Sequence, residues 1–293
     1  MIKKLLVFHL FLIGIIGQIH AQEEELSDEE YFALVDSINS SFTYQYGTII
    51  LGDNIATLQV PKGYKYLDTE QSSYVLTELW GNPPEEVLGL LFPEDIDPMS
   101  DDFTYAVEIN YAEEGYIDDE DAQEIDYDDL LEEMQSDTDE ANSYRIEEGY
   151  EKIELVGWAS EPFYDYKSKK LHWAKELKFG EQEINTLNYN IRILGRKGYL
   201  NMNAISNMEA LPIVKQDIND ILASVEFNDG YRYGDFNPEV DEIAAYGIGG
   251  LIAGKMLAKT GFFVLLLKFW KVIALAVGGF FTAFRKKIFG SGE

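Results

Sequence analysis

The 293-residue chain contains no cysteine. That single absence removes thiol catalysis, thiolate metal sites, disulfides and an acylated-cysteine anchor. Histidine is nearly as scarce. Of three, His9 and His20 fall in the N-terminal apolar stretch and only His172 is left for the body, so a zinc site built on several imidazoles is excluded. Positive charge is short as well: 23 Lys and Arg stand against 53 Asp and Glu, and between residues 22 and 242 the ratio falls to 14 against 52. Nucleic acid and anionic lipid are poor partners for such a body. Neither a glycine-rich phosphate cradle nor a nucleophile elbow is found along the chain.

What is present begins at the two ends. Lys3 and Lys4, the apolar run Leu5–Ile16 and small Ala21 before Gln22-Glu23-Glu24-Glu25 follow the order of a secretory leader. Residues 1–21 are then a signal peptide, with an uncleaved N-terminal anchor as the alternative. From Ile243 to Phe284 the chain is apolar apart from four lysines, and Arg285-Lys286-Lys287 closes it. As one straight helix this segment would reach about 60 Å, against a hydrocarbon core of about 30 Å. Residues 243–293 therefore divide into a glycine-rich juxtamembrane helix over 244–259 and a transmembrane helix over about 261–284, followed by a short basic tail. The tail charge favours a cytoplasmic end and a single crossing over a hairpin. Residues 22–242 become an acidic globular domain on the extracytoplasmic, periplasmic side. Gly247, Gly250 and Gly254 present small residues at helical spacing, suited either to self-association or to a flexible joint.

Within the body, Ser27 and Glu30 form a capping box that opens a helix to about Ile38, burying Phe32, Val35 and Ile38. Further helical windows run over 68–80, 126–135 extending to 146, and 207–222, the last with Pro212 in its first turn. Elsewhere the period is two. Tyr105, Val107 and Ile109 alternate with Glu108 and Asn110. Leu187, Tyr189, Ile191 and Ile193 line one face before the Gly195-Arg196-Lys197-Gly198 turn, and Leu200, Met202 and Ala204 return. Residues 55–60, 153–158 and 171–179 add strands of the same half-buried kind. Strands in runs with interspersed helices indicate an α+β fold, an antiparallel sheet with helices packed on it.

Candidate sites come in two groups. Residues 113–140 hold fifteen acidic residues, and Asp118, Asp119, Asp121, Asp126 and Asp128 offer oxygen ligands for Ca2+. An EF-hand register fails, because a loop starting at Asp119 needs glycine where Glu124 stands. A solvated acidic face with a helix N-terminus at Asp126 is the alternative. The second group is Trp80, Asn82, His172 and Trp173. Aromatic faces cover sugar rings, Asn82 lies in a turn beside Trp80, and His172 is the body's one imidazole base, whereas core burial of the tryptophans and surface exposure of the histidine are the plainer uses. Paired carboxylates also suit a glycosidase-like hydrolase, whose required separation across a cleft sequence spacing does not report.

The segments LTELWGNPP, EEGYIDDEDAQEIDYDDLL, GWASEPFYDYKSKKLHWAKEL, LNYNIRILGRKGYL and AAYGIGGLIAG resemble a bacterial family of membrane-anchored proteins, domain of unknown function 2167. The resemblance runs from about Ile50 into the C-terminal apolar segment and implies no activity. More loosely, the hairpin, helix and Ser224-Val225-Glu226-Phe227 at the end of the body are similar to the close of PsbP and Mog1-type sandwiches, which implies fold alone. The expectation is a non-catalytic, membrane-tethered module that binds a protein or glycan partner in the envelope. A carboxylate-based hydrolase and a calcium-binding ectodomain are the alternatives.

Overall fold

The computed structural model describes residues 27–82, 84–100, 102–147 and 151–254. The expected signal peptide and the transmembrane helix over 261–284 lie outside them. Among the described residues no helix is long and apolar enough to cross a membrane.

Helix α1 (Asp28–Asn39) starts where expected, with the Glu30 N–H donating to Ser27 Oγ and the Ser27 N–H donating to the Glu30 carboxylate at 2.9 Å. Its inner face is Tyr31 and Val35, four residues apart and so on one side of the helix; Phe32 is exposed, against expectation. There follow β1 (Thr48–Leu51), β2 (Ala56–Gln59), β3 (Tyr64–Leu67) and α2 (Thr69–Tyr74), which runs directly into a π-helical turn at Val75–Leu79. Next come β4 (Gly89–Pro93), β5 (Ala106–Ala112) and α3 (Tyr127–Glu147). A meander of β6 (Ile153–Asp165), β7 (Lys170–Phe179), β8 (Thr186–Leu194) and β9 (Tyr199–Asn207) leads to α4 (Leu211–Ala223), β10 (Val225–Phe227) and α5 (Ile248–Ala253).

The strands form two antiparallel sheets, one of seven in the order β3-β4-β5-β9-β8-β7-β6 and one of three in the order β1-β2-β10, so the fold is α+β. The β8–β9 hairpin closes at Gly198, whose φ is +149° and whose absent Cβ would stand 1.9 Å from the Ala112 carbonyl oxygen. Only glycine lets the turn lie that close to the end of β5.

Alternation along the strands assigns side chains to layers. Tyr189, Ile191, Leu200 and Met202 face the small sheet and α4, where Leu58, Val214 and Ile221 complete the main core. Each such aliphatic side chain contributes about 1.5–3 kcal/mol by leaving water. The other face of the large sheet is covered too, which half-buried strands did not lead us to expect. At the β3–β4 end it meets α1 and the π-helical turn through Tyr31, Val35, Val75, Leu90 and Phe92. At the β6–β7 end it meets α3 and α5 through Met134, Leu155, Leu171, Trp173 and Leu251. Between these two apolar clusters the face is polar.

The globular body does not stop at residue 242. Tyr116 exchanges backbone bonds with Glu242 and Ala244, and Ile248 and Leu251 are buried on the domain. Of the helix expected over 244–259, Ile248–Ala253 is helical and is capped by Gly254, which takes a left-handed conformation with φ +72°, and residues 255–259 lie outside the described residues. Gly247 abuts the Asp121 carboxylate and Gly250 abuts Tyr246, so within the chain the small residues already serve close packing.

Candidate functional site

The polar middle of the large sheet is built by register. Glu108 of β5, Asn203 of β9, Asn190 of β8 and Trp173 of β7 lie opposite one another in one row across four strands. The next row sets Asn110, Asn201 and Arg192 side by side, and the row on the other flank pairs Asn188 with Lys175. Strands bring these residues together because each lies two positions from the next, on the face opposite the main core. The rows floor a cavity of about 360 Å³, within the size range of small-molecule sites. Its walls are the π-helical turn, α3 and the C-terminal end of α5, with Asn82 and Glu85 also on the lining. A π-helical turn beside a cavity is a frequent companion of function.

The floor is partly knitted together. Asn190 Nδ2 donates to Asn188 Oδ1 at 2.7 Å, Arg192 Nη1 donates to Asn203 Oδ1 at 3.2 Å and Nη2 to Asn190 Oδ1 at 3.4 Å, and Asn110 Nδ2 donates to Glu108 Oε1 at 3.2 Å. The Arg192 guanidinium lies over the rings of Trp173 and Tyr199, 5.1 and 5.5 Å from their centroids. Three buried polar atoms of the floor residues have no partner among the described residues: Trp173 Nε1, Arg192 Nε and Asn201 Oδ1. Buried polar groups of native proteins are seldom left so.

Charge at the site is shifted in the direction burial dictates. Desolvation, reinforced by the nearby Glu85 charge, raises the Glu108 carboxyl to about 7 against the pull of Asn110 and Arg192. Desolvation and then the like charge of Arg192 lower the Lys175 ammonium to about 8. No Asp or Glu of the described residues forms an ion pair with Lys175 or Arg192.

Of the residues singled out from the sequence, Trp173 and Asn82 line this cavity and the other two do not. Trp80 packs edge-on against Phe92 and Phe103 and donates from Nε1 to the Pro98 carbonyl at 3.1 Å. His172 sits on the opposite face of β7 from Trp173, half-buried, with Nδ1 3.0 Å from the Tyr189 hydroxyl, and burial lowers its pKa. Neighbours on a strand cannot share a site on one face.

The acidic group disperses in the same way. Asp118 accepts from the Glu120 N–H; Asp119 accepts from Lys169 Nζ and the Tyr164 hydroxyl, each at 2.6 Å, and from the Tyr233 hydroxyl at 2.9 Å. Asp121 accepts from the N–H groups of Ile248 and Gly249 at 2.9 and 3.0 Å, Asp126 caps α3 through the Asp128 and Asp129 N–H groups, and the Asp128 side chain is exposed. Among the described residues no three His, Asp or Glu side chains converge as metal ligands. Sequence reading passed over the amides of β8 and β9. The available signal was composition, since Asn at four alternate positions of two strands is unusual for a solvated face and disfavoured in strands generally.

A family model described as protein of unknown function (DUF2167) matches residues 43–281. The chain belongs to the DUF2167 family. Every element from β1 to α5, and so the whole cavity, falls inside the family match. Among curated proteins no match is found. A solved structure similar to part of this DUF2167 protein is the solution structure of cyanobacterial PsbP from Synechocystis, at 11% identity and a TM-score of 0.33, covering 64% of this chain and 93% of that one. A likeness this distant carries no argument.

Proposed function

We propose that this DUF2167 protein is a non-catalytic binding module, tethered by its C-terminal apolar segment outside the membrane, that takes a small polar ligand such as a glycan unit into the cavity on its large sheet. One observation carries this: the side-chain amides of Asn188, Asn190, Asn201 and Asn203 floor a cavity of about 360 Å³ walled by helices, a volume suited to a small ligand. Amides suit recognition, since each offers both donor and acceptor and neither gives up nor takes a proton near neutrality. The leader-like N-terminus and the basic, apolar C-terminal segment support the tether.

The test is retention of sugars and sugar derivatives by the purified full chain, compared with Asn203→Trp, which fills the cavity. We expect retention by the wild type and its loss in a variant that melts normally; a wild type that retains nothing overturns the proposal. For the tether, full-length protein remains in carbonate-washed membranes, and its release into the wash contradicts that part.

A carboxylate-based hydrolase is the second reading, favoured by one feature: Glu108 is raised to about 7 inside the cavity near Glu85, the condition of a general acid. Glu108→Gln separates the two. It abolishes turnover of a glycoside in an enzyme, whereas a binding module turns over no glycoside with either residue.

A further inference from the structure

The cavity floor is electrically polarised along the row direction. Glu108 stands on β5, at one end of the four-strand row, and Lys175 stands on β7 at the far side of the floor, in the neighbouring row with Asn188. Arg192 starts two rows from Lys175, yet its guanidinium folds back over the Trp173 ring. Trp173 is only two positions from Lys175 on the same face. The two cations thus gather at the β7–β8 end, near enough for Arg192 to disfavour the charged form of Lys175.

In a chain with 53 acidic residues, leaving both of these cations without an ion pair among the described residues is unexpected on numbers alone. Both line the cavity, whose walls also carry Glu85 and Asp137, and neither carboxylate reaches either cation. Two positive charges on one cavity lining, neither paired with a carboxylate, form a seat for an anion, since charge-assisted bonds from Arg and Lys to a carboxylate are about twice as strong as neutral ones. The remaining floor, from Asn188 and Asn190 to Asn201 and Asn203, offers paired donors and acceptors of the kind hydroxyl groups use.

Resting on the binding role proposed above, we infer that the ligand is an acidic sugar of the uronate class, its carboxylate held between Arg192 and Lys175 and its hydroxyls on the asparagines. The probes are D-glucuronate, its uncharged isostere D-glucuronamide and D-glucose, titrated calorimetrically into the purified full chain. Glucuronate binds at least about tenfold more tightly than either neutral sugar, and Arg192→Gln and Lys175→Gln each erase that preference. Equal binding of all three by the wild type overturns the acidic class while leaving the cavity as a sugar site. Binding of none of them, with another polar ligand still retained and lost in Asn203→Trp, overturns the sugar and keeps only the cavity. The comparison of glucuronate with glucuronamide uses unaltered protein, so it decides the matter even if a variant misfolds.

Discussion

Arg192 on β8 holds its guanidinium 5.1 Å from the centroid of the Trp173 ring on β7, and neither Arg192 Nε nor Trp173 Nε1 finds an acceptor among the described residues. Cation and ring stabilise each other by about 0.5–2 kcal/mol, while the unmatched donors oppose that gain. The Arg192–Trp173 pair is therefore worth less than its ring contact alone would give.

Lys175 illustrates the cost. Its ammonium is lowered to about 8, below the 10.5 of a solvated lysine, first by burial and then by Arg192. The folded state consequently disfavours the charged form, and the loss is fully present below pH 8, fades as pH rises from 8 to 10.5 and is absent above. Lys175→Met should raise the melting temperature at pH 7 and lose this advantage by pH 10.5. Melting curves of both proteins across that range check it; a variant that melts lower at pH 7 contradicts the assignment.

Glu108 behaves with the opposite sign. Its carboxyl is raised to about 7 by desolvation and then by Glu85, so the folded state binds a proton more tightly than the unfolded one. The destabilisation is absent below pH 4.5, grows from 4.5 to 7 and is complete above 7. Glu108→Gln should melt higher than the wild type at pH 8 and equally at pH 4. An equal difference at both values would show that the substitution acts through packing instead.

Asp121 fastens α5 to the domain by accepting from the Ile248 and Gly249 N–H groups. Loss of a helix N-terminal acceptor costs about 1 kcal/mol. Asp121→Ala is expected to accelerate amide hydrogen exchange over 248–254 while leaving β7–β9 protected. Unchanged exchange in α5 would mean that Ile248 and Leu251 alone hold it.

Gly198 admits no side chain, since its Cβ would meet the Ala112 carbonyl oxygen at 1.9 Å. Gly198→Ala should destabilise the protein by roughly 2–4 kcal/mol, measured by urea denaturation of the full chain. A change below about 0.5 kcal/mol, the scale of an ordinary surface substitution, would mean that the turn relaxes freely.

How much was legible follows from the period of each segment. The α1 capping box, the α4 stripe and the β8–β9 hairpin could be read directly, because each has one apolar face and one polar one. By contrast, β3 and β4 escaped. Tyr64–Leu67 is buried throughout and Gly89–Phe92 likewise, so neither alternates. Asn82 and Trp173 were picked out for other reasons than the company they keep, and Trp80 and His172 went elsewhere.

By itself the amino-acid order determined the fold class, most helix starts, which face of each alternating strand enters the main core, and the exclusion of thiol and multi-histidine chemistry. These depend on neighbours a few positions apart and on composition, both of which are local. Only the tertiary structure decided what covers the polar face. Alternation says that Asn188, Asn190, Asn201 and Asn203 point away from the core; it does not say whether water or helices lie there. The placement of α3 and α5 over the β6–β7 end and of the π-helical turn nearer β4 turned that face into the floor of a cavity, because residues more than a hundred positions apart had to be brought to one surface before the site existed.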